Sequence, residues 1–151
     1  MKPENFFQKA QEEKAVPRNA KLTNSWSFGV EPDDLADLVL GGVKTATTSA
    51  YEIYAAEKEE LPKAGEYDVI LDSVDEPVCV VLIDSVEVVP FSRVTAEHAY
   101  KEGEGDRALL SWQINHAKFF RKEYKQYGLI FNRNTSQVVL ENFHVVYPTQ
   151  N

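Results

Sequence analysis

Residues 41–49 read Gly-Gly-Val-Lys-Thr-Ala-Thr-Thr-Ser and connect a predicted helix to a threonine-rich segment. The glycine pair ends the helix that opens at Pro32, because glycine adopts the left-handed conformation of a helix exit without a steric penalty. Lys44 and Thr47 lie on opposite faces if this segment is a strand, and meet one ligand only if the backbone turns there. With a turn, the free amides of a helix start after Ser49 favour an anion or a developing oxyanion. The alternative is an ordinary surface lysine in a threonine-rich strand.

Helices and strands alternate along the rest of the chain. Amphipathic spacing predicts helices over residues 5–15, 32–40, 50–60, 96–102 and 107–126. Alternating or apolar runs predict strands over residues 25–28, 67–72, 78–88 and 138–147. Three side chains are expected to cap helices, namely Ser49 in a capping box with Glu52, Thr95, and Asp106. Since no series of βαβ units is present, the pattern indicates an α+β protein with a small, largely antiparallel barrel or curled sheet.

Composition and charge narrow the classes of function. The chain has 151 residues, 43% of them hydrophobic, which predicts one domain over residues 1–151 with residues 1–23 as a helical extension. The net charge of −8 favours a small ligand over bulk nucleic acid. The single cysteine, Cys79, allows no intramolecular disulfide and fits a reducing compartment. Because the first residues lack a signal core and the longest aliphatic run, residues 78–83, is too short for a bilayer span, we expect a cytoplasmic protein without a membrane segment.

An acidic loop is the second candidate site. Glu102, Glu104 and Asp106 alternate with glycines between two predicted helices. Like charges this close raise carboxyl pKa values, and Glu102 also lies at the negative end of its helix. Glu102 is therefore the best candidate for a carboxyl group that holds a proton near neutral pH, whereas Asp106 is better explained as a cap. A divalent-metal loop is a weaker alternative, because the spacing lacks the pattern of calcium hands.

The remaining polar motifs are weaker. His98, His116 and His144 are too isolated for a metal triad, so we predict neither a metal nor a cofactor. A basic helix face could contact phosphates or simply stabilise a helix C-terminus, and it consists of Lys118, Arg121, Lys122 and Lys125. The sequence contains no nucleophile elbow, no phosphate-binding loop and no dinucleotide fingerprint.

Taken together, these motifs resemble those of the ASCH domain family. Gly42, Lys44 and Thr47 match the family motif G-x-K-x-x-T, and the resemblance extends over most of residues 24–147. Its other parts are residues 26–29, residues 102–107, Trp112, His116 and Phe119-Phe120, as in the longer bacterial ASCH proteins. The resemblance implies a PUA-like fold, a small mixed or antiparallel β-barrel with flanking helices.

The resemblance also implies an activity. A small bacterial member of the family is an amidohydrolase that removes the acetyl group of N4-acetylcytidine with a lysine, a threonine and a glutamate. These roles correspond to Lys44, Thr47 and, through the spacing from His98-Ala99, Glu102. Thr47 Oγ or a water molecule would attack the amide carbonyl, Lys44 would act as base or oxyanion stabiliser, and Glu102 would protonate the leaving amine.

The expected partner is a small modified nucleoside or RNA. Aromatic side chains such as Trp26, Phe28 and Trp112 could stack on a base, although a position in the core is the favoured explanation for each of them. The full set of residues expected to bind substrate is Trp26, Phe28, Thr45, Asp106, Arg107, Trp112 and His116. The competing hypothesis is a noncatalytic RNA-binding or regulatory module, or a ribonuclease, of PUA-like type.

Overall fold

The computed structural model describes residues 1–149. Five α-helices are α1 Pro3–Glu12, α2 Pro32–Leu40, α3 Tyr51–Glu57, α4 Ala96–Glu102 and α5 Leu109–Gln126. Five strands are β1 Leu22–Ser27, β2 Ala46–Ala50, β3 Tyr67–Leu71, β4 Pro77–Pro90 and β5 Gln137–Tyr147, with a 3₁₀ turn at Phe91–Arg93. No helix in the described part of the chain is both long and apolar enough to span a membrane.

The strands form one mixed sheet in the order β1-β3-β4-β5-β2. The strands β3 and β4 form the predicted antiparallel hairpin, while β1 runs parallel to β3 with Trp26 opposite Ile70. The α+β class is therefore confirmed. The barrel is not confirmed, because β1 and β2 stand at the two ends of the strand order over residues 1–149.

The contacts divide the chain into two compact units. The first consists of residues 1–45, residues 63–85 and the segment that starts at Asn142. The predicted N-terminal extension contributes Phe7, Ala10 and Val16 to one core of this unit, against Val69 of β3. A second core packs α2 against the sheet and contains Phe28, Ala36, Val39, Ile70, Cys79, Val81 and Phe143. The burial of Cys79 raises its thiol pKa to about 12, as expected for an inert core thiol.

The second unit consists of residues 46–62 and 86–141. Its core is aromatic, and Phe91 contacts three other rings, those of Trp112, Phe120 and Phe131, at centroid distances of 5.2, 6.1 and 5.1 Å. Because α5 supplies two of these rings, the core fixes the position of α5. The prediction of one domain stays a prediction.

The predicted caps have different outcomes. Thr95 caps α4 as expected, since its hydroxyl accepts a hydrogen bond from the His98 amide at 3.1 Å. The capping box is wrong: the N-cap of α3 is Ala50, and the Ser49 hydroxyl is hydrogen-bonded to the Tyr54 hydroxyl instead. The physical reason is that β2 continues to Ala50, which leaves Ser49 inside a strand.

The loop before α5 also differs from the prediction. The helix begins at Leu109 because Arg107 has a left-handed backbone, with φ of 62°, that a helix cannot include. The Asp106 carboxylate still holds the helix start by accepting from the Ala108 amide at 2.9 Å and the Ser111 hydroxyl at 2.8 Å. The hydrogen bond from the Ala108 amide lowers the pKa of Asp106 most, and the one from the Ser111 hydroxyl lowers it further.

Candidate active site

Glu102, the last residue of α4, is the centre of a buried polar cluster in the second unit. Gly103, with φ of 72°, ends the helix immediately behind it. The Glu102 side chain is almost fully buried, with 1% relative exposure of the residue. Its Oε2 atom accepts a hydrogen bond from the Thr48 hydroxyl of β2 and another from the Trp112 indole of α5, each at 2.6 Å. A carboxylate can remain buried when it is hydrogen-bonded in this way.

His98 completes the contact between α4 and β2. It lies one helical turn before Glu102, which brings its Nε2 atom within 3.2 Å of Glu102 Oε2 and 2.8 Å of Thr48 Oγ1. The Thr48 hydroxyl donates its hydrogen to Glu102, so its oxygen accepts from His98. Nε2 of His98 therefore carries a hydrogen, and hydroxyl, imidazole and carboxylate form one network.

His116 approaches Glu102 from α5. Its ring stacks on the Trp112 ring at a centroid distance of 4.2 Å and an angle of 18°. Its Nδ1 atom contacts the Trp112 carbonyl oxygen at 3.0 Å, and its Nε2 atom lies 3.4 Å from Glu102 Oε1. The side chain of His116 is 17% exposed, against 2% for Glu102, so His116 is the more exposed of the two.

Glu104 adds a second carboxyl group to this cluster. Each of the three residues Glu102, Glu104 and His116 offers one potential ligand atom, and these three atoms lie within 4.8 Å of one another. A metal ion could bridge this separation. Glu102 Oε2 is already hydrogen-bonded to a hydroxyl and an indole, and His116 Nδ1 faces a carbonyl oxygen. The prediction that no metal binds at these residues stays a prediction.

Trp112 has a structural part in this cluster. Its ring is 5% exposed and stacks on both Phe91 and His116. Its indole N–H is directed to Glu102. The contacts describe a core residue that positions Glu102, and stacking of Trp112 on a base stays a prediction.

Thr47 and Thr48 are neighbours on β2 and have different surroundings. The Thr48 hydroxyl contacts Glu102 and His98. Since successive side chains of a strand point to opposite faces, Thr47 is directed away from the face of β2 that Thr48 occupies. The structure thus brings a threonine to Glu102, but it is the residue after the one that the motif selects.

In the first unit, Lys44 follows the end of α2. The helix ends where Gly42 takes φ of 77°, and the amides of Val43 and Lys44 both donate to the Leu38 carbonyl, at 2.9 and 3.0 Å. The Lys44 side chain is buried, with 1% exposure, and its ammonium lies 5.3 Å from the centroid of the Phe28 ring. The alternative interpretation of Lys44 as an ordinary surface lysine is therefore wrong.

A small pocket lies beside Lys44. Its volume is about 180 Å³, and its lining comprises Val39, Leu40, Gly42, Lys44, Thr45, His144 and Val145. Within the same unit the Trp26 ring packs edge-on against Phe28 at 4.9 Å, and its indole donates to Asp68 Oδ2 at 2.9 Å. Two residues predicted to bind substrate, Thr45 and Phe28, thus lie at Lys44, one lining its pocket and one contacting its ammonium.

The two charged residues predicted to bind substrate, Asp106 and Arg107, have partners within the loop itself. Asp106 holds the start of α5 as described above. The Arg107 guanidinium lies 3.6 Å from the centroid of the Tyr100 ring, and its Nε donates to the Tyr100 carbonyl at 2.9 Å. These contacts order the acidic loop, and a role of either residue in binding stays a prediction.

Sequence reasoning missed Thr48 as a member of the cluster and used His98 only as a spacing marker. The separation of His98 and Glu102 by one helical turn is a signal that could have paired them. No local signal points to Thr48, which lies 54 residues from Glu102 and meets it only through packing.

These features define an α+β protein with a buried carboxyl–hydroxyl–imidazole cluster and a buried lysine after a glycine-terminated helix. The sequence pattern of the ASCH domain family matches residues 24–147, and the chain belongs to that family. Among curated protein sequences, no match was found.

Solved structures agree with this assignment. The chain is similar to the ASCH domain from Lactobacillus crispatus JV V101, with 30% identity, a TM-score of 0.88, and coverage of 96% of this chain and 94% of that one. It is also similar to protein EF3133 from Enterococcus faecalis V583, with 34% identity, a TM-score of 0.84, and coverage of 95% and 86%. A mutant ASCH protein from Zymomonas mobilis shares the fold alone, at 8% identity and a TM-score of 0.50 over 80% of this chain and 67% of that one.

Proposed function

We propose that this protein is an amidohydrolase that removes an acyl group from the exocyclic amine of a modified nucleoside, with N4-acylated cytidine as the substrate class. The observation that carries the proposal is Glu102, a fully buried carboxyl group held by the Thr48 hydroxyl and flanked by two histidines. A buried carboxyl group among proton donors is typical of general acid–base sites.

The proposed reaction is hydrolysis of one amide bond. Either water adds to the carbonyl carbon and the carbon–nitrogen bond breaks, or a threonine hydroxyl adds, the amine leaves, and water then hydrolyses the resulting ester and frees the hydroxyl. Glu102 gives a proton to the departing amine, and the attacking oxygen releases one, so the products are a carboxylic acid and the free amine. His98 and Trp112 hold Glu102 Oε2 in place for this transfer.

Lys44 enters the proposal through the motif that it shares with Gly42 and Thr47. A lysine buried against Phe28 and beside a small pocket is suited to stabilising a developing oxyanion. The pocket volume of about 180 Å³ is below the roughly 300–1,000 Å³ of sites for drug-sized ligands. We infer that the pocket accepts a small part of a substrate. We also propose that the protein acts on this substrate in the cytoplasm.

The test is turnover of N4-acetylcytidine and related N4-acylcytidines, followed by the loss of the acylated chromophore. We expect Glu102→Gln and Lys44→Met to lower kcat by about 10²–10⁴-fold, the range for removing an acid–base or oxyanion group. Asn115→Ala, an exposed neighbour on α5, is the control that should turn over normally. Absence of turnover on every acylcytidine, or turnover that ignores both active-site substitutions, contradicts the proposal.

A pair of matched variants identifies the hydroxyl group. Thr47→Val and Thr48→Val each remove one hydroxyl and keep the β-branched shape that suits β2. If Thr47 is the nucleophile selected by the motif, its variant alone abolishes turnover. If the hydroxyl at Glu102 is the reacting group, the variant of Thr48 abolishes it instead.

A second candidate function is RNA binding or RNA cleavage, which the exposed face of α5 favours. Lys118, Arg121, Lys122 and Lys125 are all exposed on this helix. Contacts of this kind with phosphates weaken steeply as salt rises, whereas hydrolysis of a neutral nucleoside does not. Binding of a labelled single-stranded RNA that falls steeply between 50 and about 200 mM salt, and that a quadruple alanine variant abolishes, would favour this second function.

A further inference from the structure

The Phe28 ring packs against the ammonium of Lys44 inside the first unit. Phe28 directly follows β1 and is 8% exposed, and the Lys44 ammonium lies over its ring at 5.3 Å from the centroid. An ammonium within about 6 Å of a ring face is attracted by the negative charge of that face, and the attraction is stronger where water is excluded. Lys44 is 1% exposed, so the contact lies in such an environment.

Two further residues of the same unit hold the Phe28 ring in its orientation. Trp26, two residues earlier, meets this ring edge-on at a centroid distance of 4.9 Å and an angle of 85°. The Trp26 indole in turn donates to Asp68 Oδ2 on β3 at 2.9 Å. Asp68 is 4% exposed, and its Oδ1 atom has no hydrogen-bond partner among residues 1–149. The indole hydrogen bond to this buried carboxyl group is therefore costly to break, and it fixes the Trp26 ring.

A ring face is a suitable support for a lysine that stabilises an oxyanion. It attracts the positive charge without offering a lone pair in the way that an oxygen atom does. It therefore restrains the side chain while competing little with a substrate oxygen for the hydrogens of the ammonium. An oxyanion is stabilised most by a donor that is already in place when the charge develops, because no reorganisation is then needed.

We propose that Phe28 is a positioning residue for the reaction: its ring face holds the Lys44 ammonium where the oxyanion develops, and Trp26 holds the ring. The inference rests on the proposed function for the use of Lys44. It gives the two aromatic side chains a role that differs from the predicted stacking on a base. Neither ring takes part in a bond that forms or breaks.

The contact is tested on the whole protein by nuclear magnetic resonance, without any substrate. The ring current of an aromatic face shifts protons above it upfield, so we expect the ε-methylene protons of Lys44 upfield of those of the exposed Lys118. Lys44→Met assigns the signal by removing it, and Phe28→Leu should return it to the position of an ordinary lysine. A wild-type Lys44 signal that coincides with that of Lys118, or that Phe28→Leu leaves in place, overturns the proposal.

The role of the ring is tested by replacing Phe28 with a phenylalanine whose ring carries three fluorine atoms. Fluorine withdraws electron density from the ring face and weakens its attraction for a cation, while the ring keeps nearly the same shape. We expect kcat for N4-acetylcytidine to fall by about 10-fold, with KM and Tm close to those of the wild type. The matched control is the same replacement of Phe7, a buried ring that packs against Tyr67, which should keep the wild-type kcat.

The outcomes separate the role of the ring from the activity itself. A fluorinated Phe28 enzyme with the wild-type kcat overturns the positioning role, and so does an equal loss for the Phe7 replacement, because a packing defect acts this way. An upfield Lys44 signal in a protein that hydrolyses no acylcytidine supports the contact and refutes the proposed function.

Discussion

The hydrogen bond between Trp112 and Glu102 allows a quantitative test of the buried cluster. In Trp112→Phe a phenyl ring can still stack near Phe91 and His116, but the indole N–H that donates to Glu102 Oε2 at 2.6 Å is lost. Removing the donor leaves a buried acceptor without that hydrogen bond, which costs roughly 1–3 kcal/mol of stability. The smaller ring adds about 1 kcal/mol for lost contacts in a core that relaxes only in part.

We therefore expect the variant to be less stable by about 3 kcal/mol, which lowers Tm by roughly 6–12 °C for a chain of this size. The assay is urea unfolding followed by far-ultraviolet circular dichroism, which does not depend on the lost tryptophan. Trp26→Phe is the matched control: it also removes an indole N–H from a buried carboxyl group, Asp68, but from a partly buried ring on β1. A loss for Trp112→Phe below about 1 kcal/mol, or no larger than that of the control, would refute the view that Glu102 is held by a strong buried hydrogen bond.

Three further predictions concern stability. Tyr124→Phe removes a hydroxyl that donates to Glu52 at 2.6 Å, and should cost about 1.5–3 kcal/mol in urea unfolding, against less than roughly 0.5 kcal/mol for the same change at the exposed Tyr127. Burial raises the pKa of Asp68, so the folded state binds its proton more tightly than the unfolded chain does. Protonated Asp68 contributes most to stability below the unfolded pKa, and this contribution falls as pH rises to the folded pKa. Over that pH window the free energy of unfolding of Asp68→Asn should therefore rise relative to that of the wild type. Urea unfolding at a series of pH values measures this, and a constant difference between the two proteins would contradict it. Gly42→Ala forces a side chain into φ of 77°, so it should lower stability by about 1 kcal/mol although no atom lies near the added Cβ, and an unchanged Tm would contradict the strain.

Local signals in the sequence determined much of the fold. The glycine exit of α2, the threonine cap of α4 and the hairpin of β3 and β4 were all predictable, because each depends on residues within a few positions of one another. The same kind of argument selected Glu102, since its place at a helix C-terminus in an acidic loop is a local property. The capping box failed because a local pattern at Ser49 could not show that β2 continues past it.

Only the tertiary structure decided what surrounds Glu102. The Thr48 hydroxyl reaches Glu102 from β2, and the Trp112 indole reaches it from α5. Thr48 and Glu102 are 54 positions apart in the chain. The parallel pairing of β1 with β3 is of the same kind. Hydrophobic periodicity states which face of an element is buried, but not which other element covers it, because that choice depends on the packing of the whole core. The identity of the hydroxyl at Glu102 follows from that packing.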